Sequence, residues 1–168
     1  PTATPRPIAC ASEPVRFRAV WQPVRTRLGC PEAEAQALML AEQSFERGRM
    51  IWVSTEQRIY VLHESGRWQS FADTWREGID PAYDPALPPP PQQPQRGFGK
   101  VWREELGGSE AEIGWAVADE RAVDGWRQMF EGGLLLWTDA VPPGSTEGGT
   151  AYVLFDDGTW QAVPASRP

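Results

Sequence analysis

The sequence predicts an α+β, mainly β protein of two tandem pseudo-symmetric units, each a short helix plus a three-stranded antiparallel meander. Three observations lead there. The 168 residues include 17 Pro, 16 Gly and 9 Trp, a turn-rich composition whose core is aromatic rather than a set of long Leu-filled helices. Anchor blocks recur in the same order in the two halves. Two of the recurring blocks end in a Gly-containing turn followed by Trp, the chemistry of a tight hairpin.

The repeat is read from constant offsets. Phe45 to Trp52 matches Phe130 to Trp137 at 85 positions, and Gln43 and Gln128 keep that offset. Tyr60 to Gln69 matches Tyr152 to Gln161 at 92, the extra length falling in the loop Pro142 to Gly149. Upstream, Phe17 to Trp21 matches Phe98 to Trp102 at 81, and Leu28-Gly29 matches Ile113-Gly114 at 85. Length changes confined to turn-like segments mark a duplication. The organisation predicted is a Pro/Thr-rich linker (1–14), unit one (15–80), a Pro-rich spacer (81–96), unit two (97–164) and a tail (165–168).

Within each unit, Met50 to Val53 and Leu134 to Trp137 read as buried strands entered through Gly. Tyr60 to His63 and Tyr152 to Phe155 are β-prone runs, followed by Glu64-Ser65-Gly66 and Asp156-Asp157-Gly158, where Gly supplies a positive φ. Trp21 to Leu28 and Trp102 to Ile113 carry charges between apolar positions at helical spacing, and Ala33 to Leu40 adds a further helical turn or two. A single unit of this size buries little surface, so the meanders are expected to pack together or share a sheet. Pro88 to Pro91 stiffens the spacer toward polyproline II.

Net charge is −7 with a pI near 4.8, which argues against nucleic acid and against anionic membrane surfaces. No apolar run is long enough to span a bilayer. Lys100 is the only lysine and Asn is absent, a bias that points to a thermophilic, high-GC bacterial source. Pro1 to Pro7 reads as the tract that follows a signal peptide, lipid anchor or transmembrane segment, so an extracytoplasmic chain, secreted or surface-anchored through a missing N-terminal segment, is expected. Cys10 and Cys30 fit one disulfide in an oxidising compartment, worth about 3 kcal/mol; the alternative is two buried thiols.

Leu28-Gly29-Cys30-Pro31, followed by Phe45-Glu46-Arg47-Gly48 and the strand ending at Trp52, resembles the LGFP-type repeat of secreted bacterial cell-envelope proteins. Cys30 stands where that pattern has Phe, copy two reads Ile113-Gly114-Trp115-Ala116, and Arg47 replaces the first strand Gly. The resemblance implies an envelope module that contacts wall polymers; it carries over no binding residue.

His63 is the only histidine, so multi-imidazole zinc sites and Ser-His-Asp arrangements have little to work with. Glu104-Glu105 and Asp156-Asp157 read as a solvated helix face and a hairpin turn rather than acid/base or Ca²⁺ pairs. A non-catalytic protein without cofactor or metal is expected. What remains is the Trp set. Trp21/Trp102, Trp52/Trp137 and Trp68/Trp160 recur, while Trp75, Trp115 and Trp126 do not. Recurring indoles either fill the core or line a groove where flat rings stack on sugars or grip a chain. The candidate ligand-binding residues are Trp68 and Trp160, after the hairpin turns, then Trp52 and Trp137. The partner expected is a cell-wall polymer or glycan, the alternative an assembly role on another envelope protein.

Overall fold

The computed structural model describes residues 9–141, 144–146 and 148–168; expectations for Pro1 to Pro7, and for part of the Pro142 to Gly149 loop, fall outside them. The secondary structure is mainly β. Two short helices, α1 (Arg18–Trp21) and α2 (Arg25–Leu28), are joined by a 3-10 turn, and α3 spans Arg96–Glu104. The strands are β1 (Gln36–Phe45), β2 (Gly48–Val53), β3 (Arg58–His63), β4 (Trp68–Ala72), β5 (Arg121–Phe130), β6 (Gly133–Thr138), β7 (Thr150–Phe155) and β8 (Trp160–Pro164).

This corrects the predicted α+β pair of helix-plus-three-strand units. Each copy contributes four strands, and all eight belong to one sheet in the order β4-β3-β2-β1-β5-β6-β7-β8. The strand missed in copy one lies where helix was expected. Ala33 to Leu40 is rich in helix formers, yet Gln36–Phe45 pairs antiparallel with β2 from Leu40↔Val53 to Phe45↔Gly48, tertiary pairing overriding propensity. In copy two the helix ends at Glu104, short of the predicted Ile113. Gly107 and Gly108 follow, both at positive φ.

The hairpins follow the sequence signals. Gly48 and Gly133 sit at φ 149° and 151°, and a Cβ at either would overlap the carbonyl of Leu62 or Leu154. Only glycine fits there without displacing the neighbouring strand.

Packing groups the chain into two compact units that do not follow sequence order. A terminal unit combines the chain up to Ala37 with Gly125–Asp157 and Gln161–Pro168; a central unit combines Leu38–Asp124 with Gly158–Trp160. The helical segment of copy one thus serves the meander of copy two, and the reverse. In the terminal unit Phe17, Val20, Trp21 and Leu28 pack with Phe130, Leu135, Ala151 and Val153. Their repeat equivalents Phe98, Val101, Trp102 and Ile113 pack with Phe45, Met50, Ile59 and Val61 in the central unit.

The same polar scaffold recurs in each unit. Trp21 Nε1 donates to the Gly29 carbonyl at 2.7 Å, and Trp102 Nε1 to Gly114 at 2.9 Å. Glu131 accepts from the Cys30 amide at 2.9 Å, and Glu46 from the Trp115 amide at 3.1 Å. Gln128 donates to the Ala33 carbonyl and Gln43 to that of Ala118. Backbone bonds fasten the exchanged segments, Gly132 N–H to the Leu28 carbonyl and Arg47 N–H to that of Ile113. Four bonds, joining eight positions, thus recur with equivalent partners in both units.

Cys10 and Cys30 form a disulfide with Cα atoms 5.5 Å apart. In copy two the position of Cys30 is taken by Trp115, whose ring lies 5.0 Å from that of Trp102. The Pro-rich spacer is folded into the central unit. Fully buried Gln93 accepts from the Asp84 amide at 2.9 Å and donates to the carbonyls of Asp84 and Pro88 at 2.7 and 3.0 Å. One side chain satisfies three backbone groups and fixes the loop.

Candidate functional site

The central unit holds a cavity of about 260 Å³. Its floor comes from β1 and β3 (Leu40, Ala41, Ile59), one wall from Trp52 at the end of β2, and another from Arg96, Gly97 and Phe98 at the start of α3. Asp73 and Trp75, beyond β4, and Glu120, ahead of β5, complete it. Apolar and aromatic walls with a few polar groups are the usual make-up of a small-molecule site.

Asp73 and Trp75 are held in place by hydrogen bonds. The Asp73 amide donates to the Gln57 carbonyl at 2.8 Å, and Asp73 Oδ1 accepts from the Trp75 amide at 3.1 Å, a local turn that presents the indole. Trp75 Nε1 donates to the Pro81 carbonyl at 3.3 Å, so the folded spacer braces that ring. The Asp73 carboxyl lies 2.5 Å from where a Cβ on Gly97 would be, so a larger residue in the first turn of α3 would push that carboxyl from its present place. Arg96 adopts φ +50°, a left-handed conformation costly for a branched or long side chain and characteristic of sites. Its guanidinium lies 4.0 Å from Glu120, and the side chain is 62% exposed.

The pKa of Glu120 is raised from its ordinary value. Burial is the main cause; Arg96 opposes the shift and the neighbouring Asp73 carboxylate adds to it. The two carboxylates therefore share one electrostatic environment. The indole N–H of Trp52 is buried with no hydrogen-bond partner among the described residues, whereas its repeat equivalent Trp137 donates to the Ala165 carbonyl at 2.8 Å.

The four Trp residues singled out from the sequence have separate fates. Trp52 lines the cavity and Trp137, 1% exposed, belongs to the core of the terminal unit. Trp68 and Trp160 are half-buried in the central unit, where the two hairpin turns meet. The Trp68 amide donates to the Gly158 carbonyl and the Trp160 amide to that of Gly66; Trp160 Nε1 donates to the His63 carbonyl at 2.9 Å. Neither ring lines the cavity. Asp73, Trp75, Arg96 and Glu120 were not anticipated. Their signal was divergence, since the repeat carries Ala165, Arg167, Val15 and Ala35 at those places.

His63 is buried, with Nε2 3.0 Å from the Gln69 amide nitrogen and Nδ1 3.9 Å from Glu112. The Ser65 hydroxyl donates to Glu112 at 3.1 Å rather than to the imidazole, so no serine is paired with a base here. Burial lowers the His63 pKa, with Glu112 opposing.

A second cleft, of about 370 Å³, lies in the terminal unit between the start of α1 and the stretch after β8. It overlaps the repeat counterpart of the first only in part: Phe17 stands for Phe98, Ala165 for Asp73 and Arg167 for Trp75, while Gly125, Trp137 and Ala151, the equivalents of Leu40, Trp52 and Ile59, do not line it. Among the described residues no group of three or more His, Cys, Asp or Glu side chains is placed to hold a metal ion, and no helix is long and apolar enough to cross a membrane. No protein family, curated protein or solved structure matches the chain.

Proposed function

We propose that this protein is a non-catalytic extracytoplasmic binding module that holds a cell-envelope glycan or wall polymer at the cavity of the central unit. The observation that carries it is the lining: the indoles of Trp52 and Trp75 and the ring of Phe98, with Asp73, Glu120 and Arg96 among them. Flat rings offer a surface to the apolar faces of a sugar, and ionisable groups accept from or donate to its hydroxyls. A volume of about 260 Å³ suits one unit of a polymer better than a long segment. The Cys10–Cys30 disulfide fits an oxidising compartment, and the LGFP-type resemblance agrees with an envelope role.

Trp fluorescence titration with solubilised cell-wall polymer tests this. Trp75→Ala, which removes a ring outside the strands, should abolish the response while far-UV circular dichroism stays unchanged. Equal binding by Trp75→Ala and wild type would refute the site. Docking on another envelope protein is the second reading, favoured by Ile79 and Tyr83, exposed by 68% and 43% beside the folded spacer.

A further inference from the structure

The two clefts share part of their lining in the repeat but differ in charge. The central one has two carboxylates, Asp73 and Glu120, and one guanidinium; the terminal one has Arg16 and Arg167 and no carboxylate. At the shared positions Asp73 and Trp75 correspond to Ala165 and Arg167, and Ala35 stands for Glu120 in the other copy, so the carboxylate pair is particular to the central cavity.

Resting on the glycan reading above, we infer that the central cavity recognises an amino-sugar unit in its ammonium form, the charge met by Glu120 and Asp73 and the ring by Trp52, Trp75 and Phe98. Two carboxylates in one small cavity repel each other, and a cation relieves both. Arg96 supplies part of that relief, but as an exposed partner. Its guanidinium stands 4.0 Å from Glu120 and mostly in water, where an ion pair contributes little, so an entering ammonium displaces it at small cost. Indole faces attract an ammonium group directly, and more strongly where water is excluded. N-acetylation of the same sugar would remove the charge and leave the ring, which separates this inference from ring stacking alone.

The test is a calorimetric titration of the full chain, at about pH 6 and low salt, with a glucosamine tetramer, its N-acetylated counterpart and a trilysine peptide. The glucosamine tetramer should bind about tenfold more tightly than the acetylated one, and weaken as screening rises with salt. Glu120→Gln should bring the preference within about threefold, as expected when one charge-assisted contact is lost. Equal or tighter binding of the acetylated tetramer, or a preference that survives Glu120→Gln, overturns the charge assignment while leaving glycan binding intact. Trilysine binding more tightly than the glucosamine tetramer overturns the assignment to a sugar. Failure of both sugars to bind removes the proposed function with it.

Discussion

Leu28 is fully buried in the terminal unit, packed with strands of copy two, although its own copy's strands lie in the central unit. Leu28→Ala therefore reports which meander its segment supports. Truncating a buried Leu to Ala typically costs about 2–5 kcal/mol. At about 3 kcal/mol, amide protection governed by opening of that unit should fall by about two orders of magnitude. Hydrogen exchange should show the loss at Leu135 and Val153, with smaller change at Met50 and Val61. Ile113→Ala, at the equivalent position, should invert the pattern, because Ile113 packs in the central unit. Loss concentrated at Met50 and Val61 in Leu28→Ala would refute the exchange of helical segments.

Glu120 has a folded pKa raised above its unfolded value, so the fold disfavours its charged form and the wild type gives up stability as pH rises through that titration. Glu120→Gln should therefore melt higher than wild type near neutral pH and alike in acid; a lower melting temperature at pH 7 would contradict this. His63 is shifted the other way, below 6.5, by burial, so its contribution is intact above that pH and lost on acidification. His63→Phe, the residue copy two carries at Phe155, should flatten the loss of stability between about pH 7 and pH 5, and an unchanged slope in urea melts would count against it. Replacing both Cys10 and Cys30 by Ser opens a loop of 20 positions, which costs about 3 kcal/mol and about 6–12 °C in melting temperature. A shift too small to measure would show that α1 and α2 are held by packing alone.

Much of this architecture was readable from residue order. The duplication, strands β2, β3, β6 and β7, their Gly-bearing turns and the pairing of Cys10 with Cys30 all rest on local chemistry or on simple counting. β1 and β5 were hidden for a physical reason. Ala33 to Leu40 favours helix as an isolated peptide, and in β5 the buried positions switch face between Gly125 and Gln128, which erases a clean period of two. The exchanged helices were hidden more deeply, since periodicity shows which face of a segment is buried but not which partner buries it. Of the cavity lining, Trp52 was singled out through its recurrence. Asp73, Arg96 and Glu120 come from non-recurring positions far apart in the chain, and a search for sameness passes over them.

The reciprocal assignment of α1–α2 and α3 has a consequence for how such a chain evolves. A polypeptide carrying a single copy would own an arm without a bed and a bed without an arm, and would need a second molecule to complete its interior. Joining both halves covalently frees assembly from concentration. It also releases the two units from the obligation to stay identical, so that a cavity lined by carboxylates and a cleft lined by arginines can coexist in one molecule.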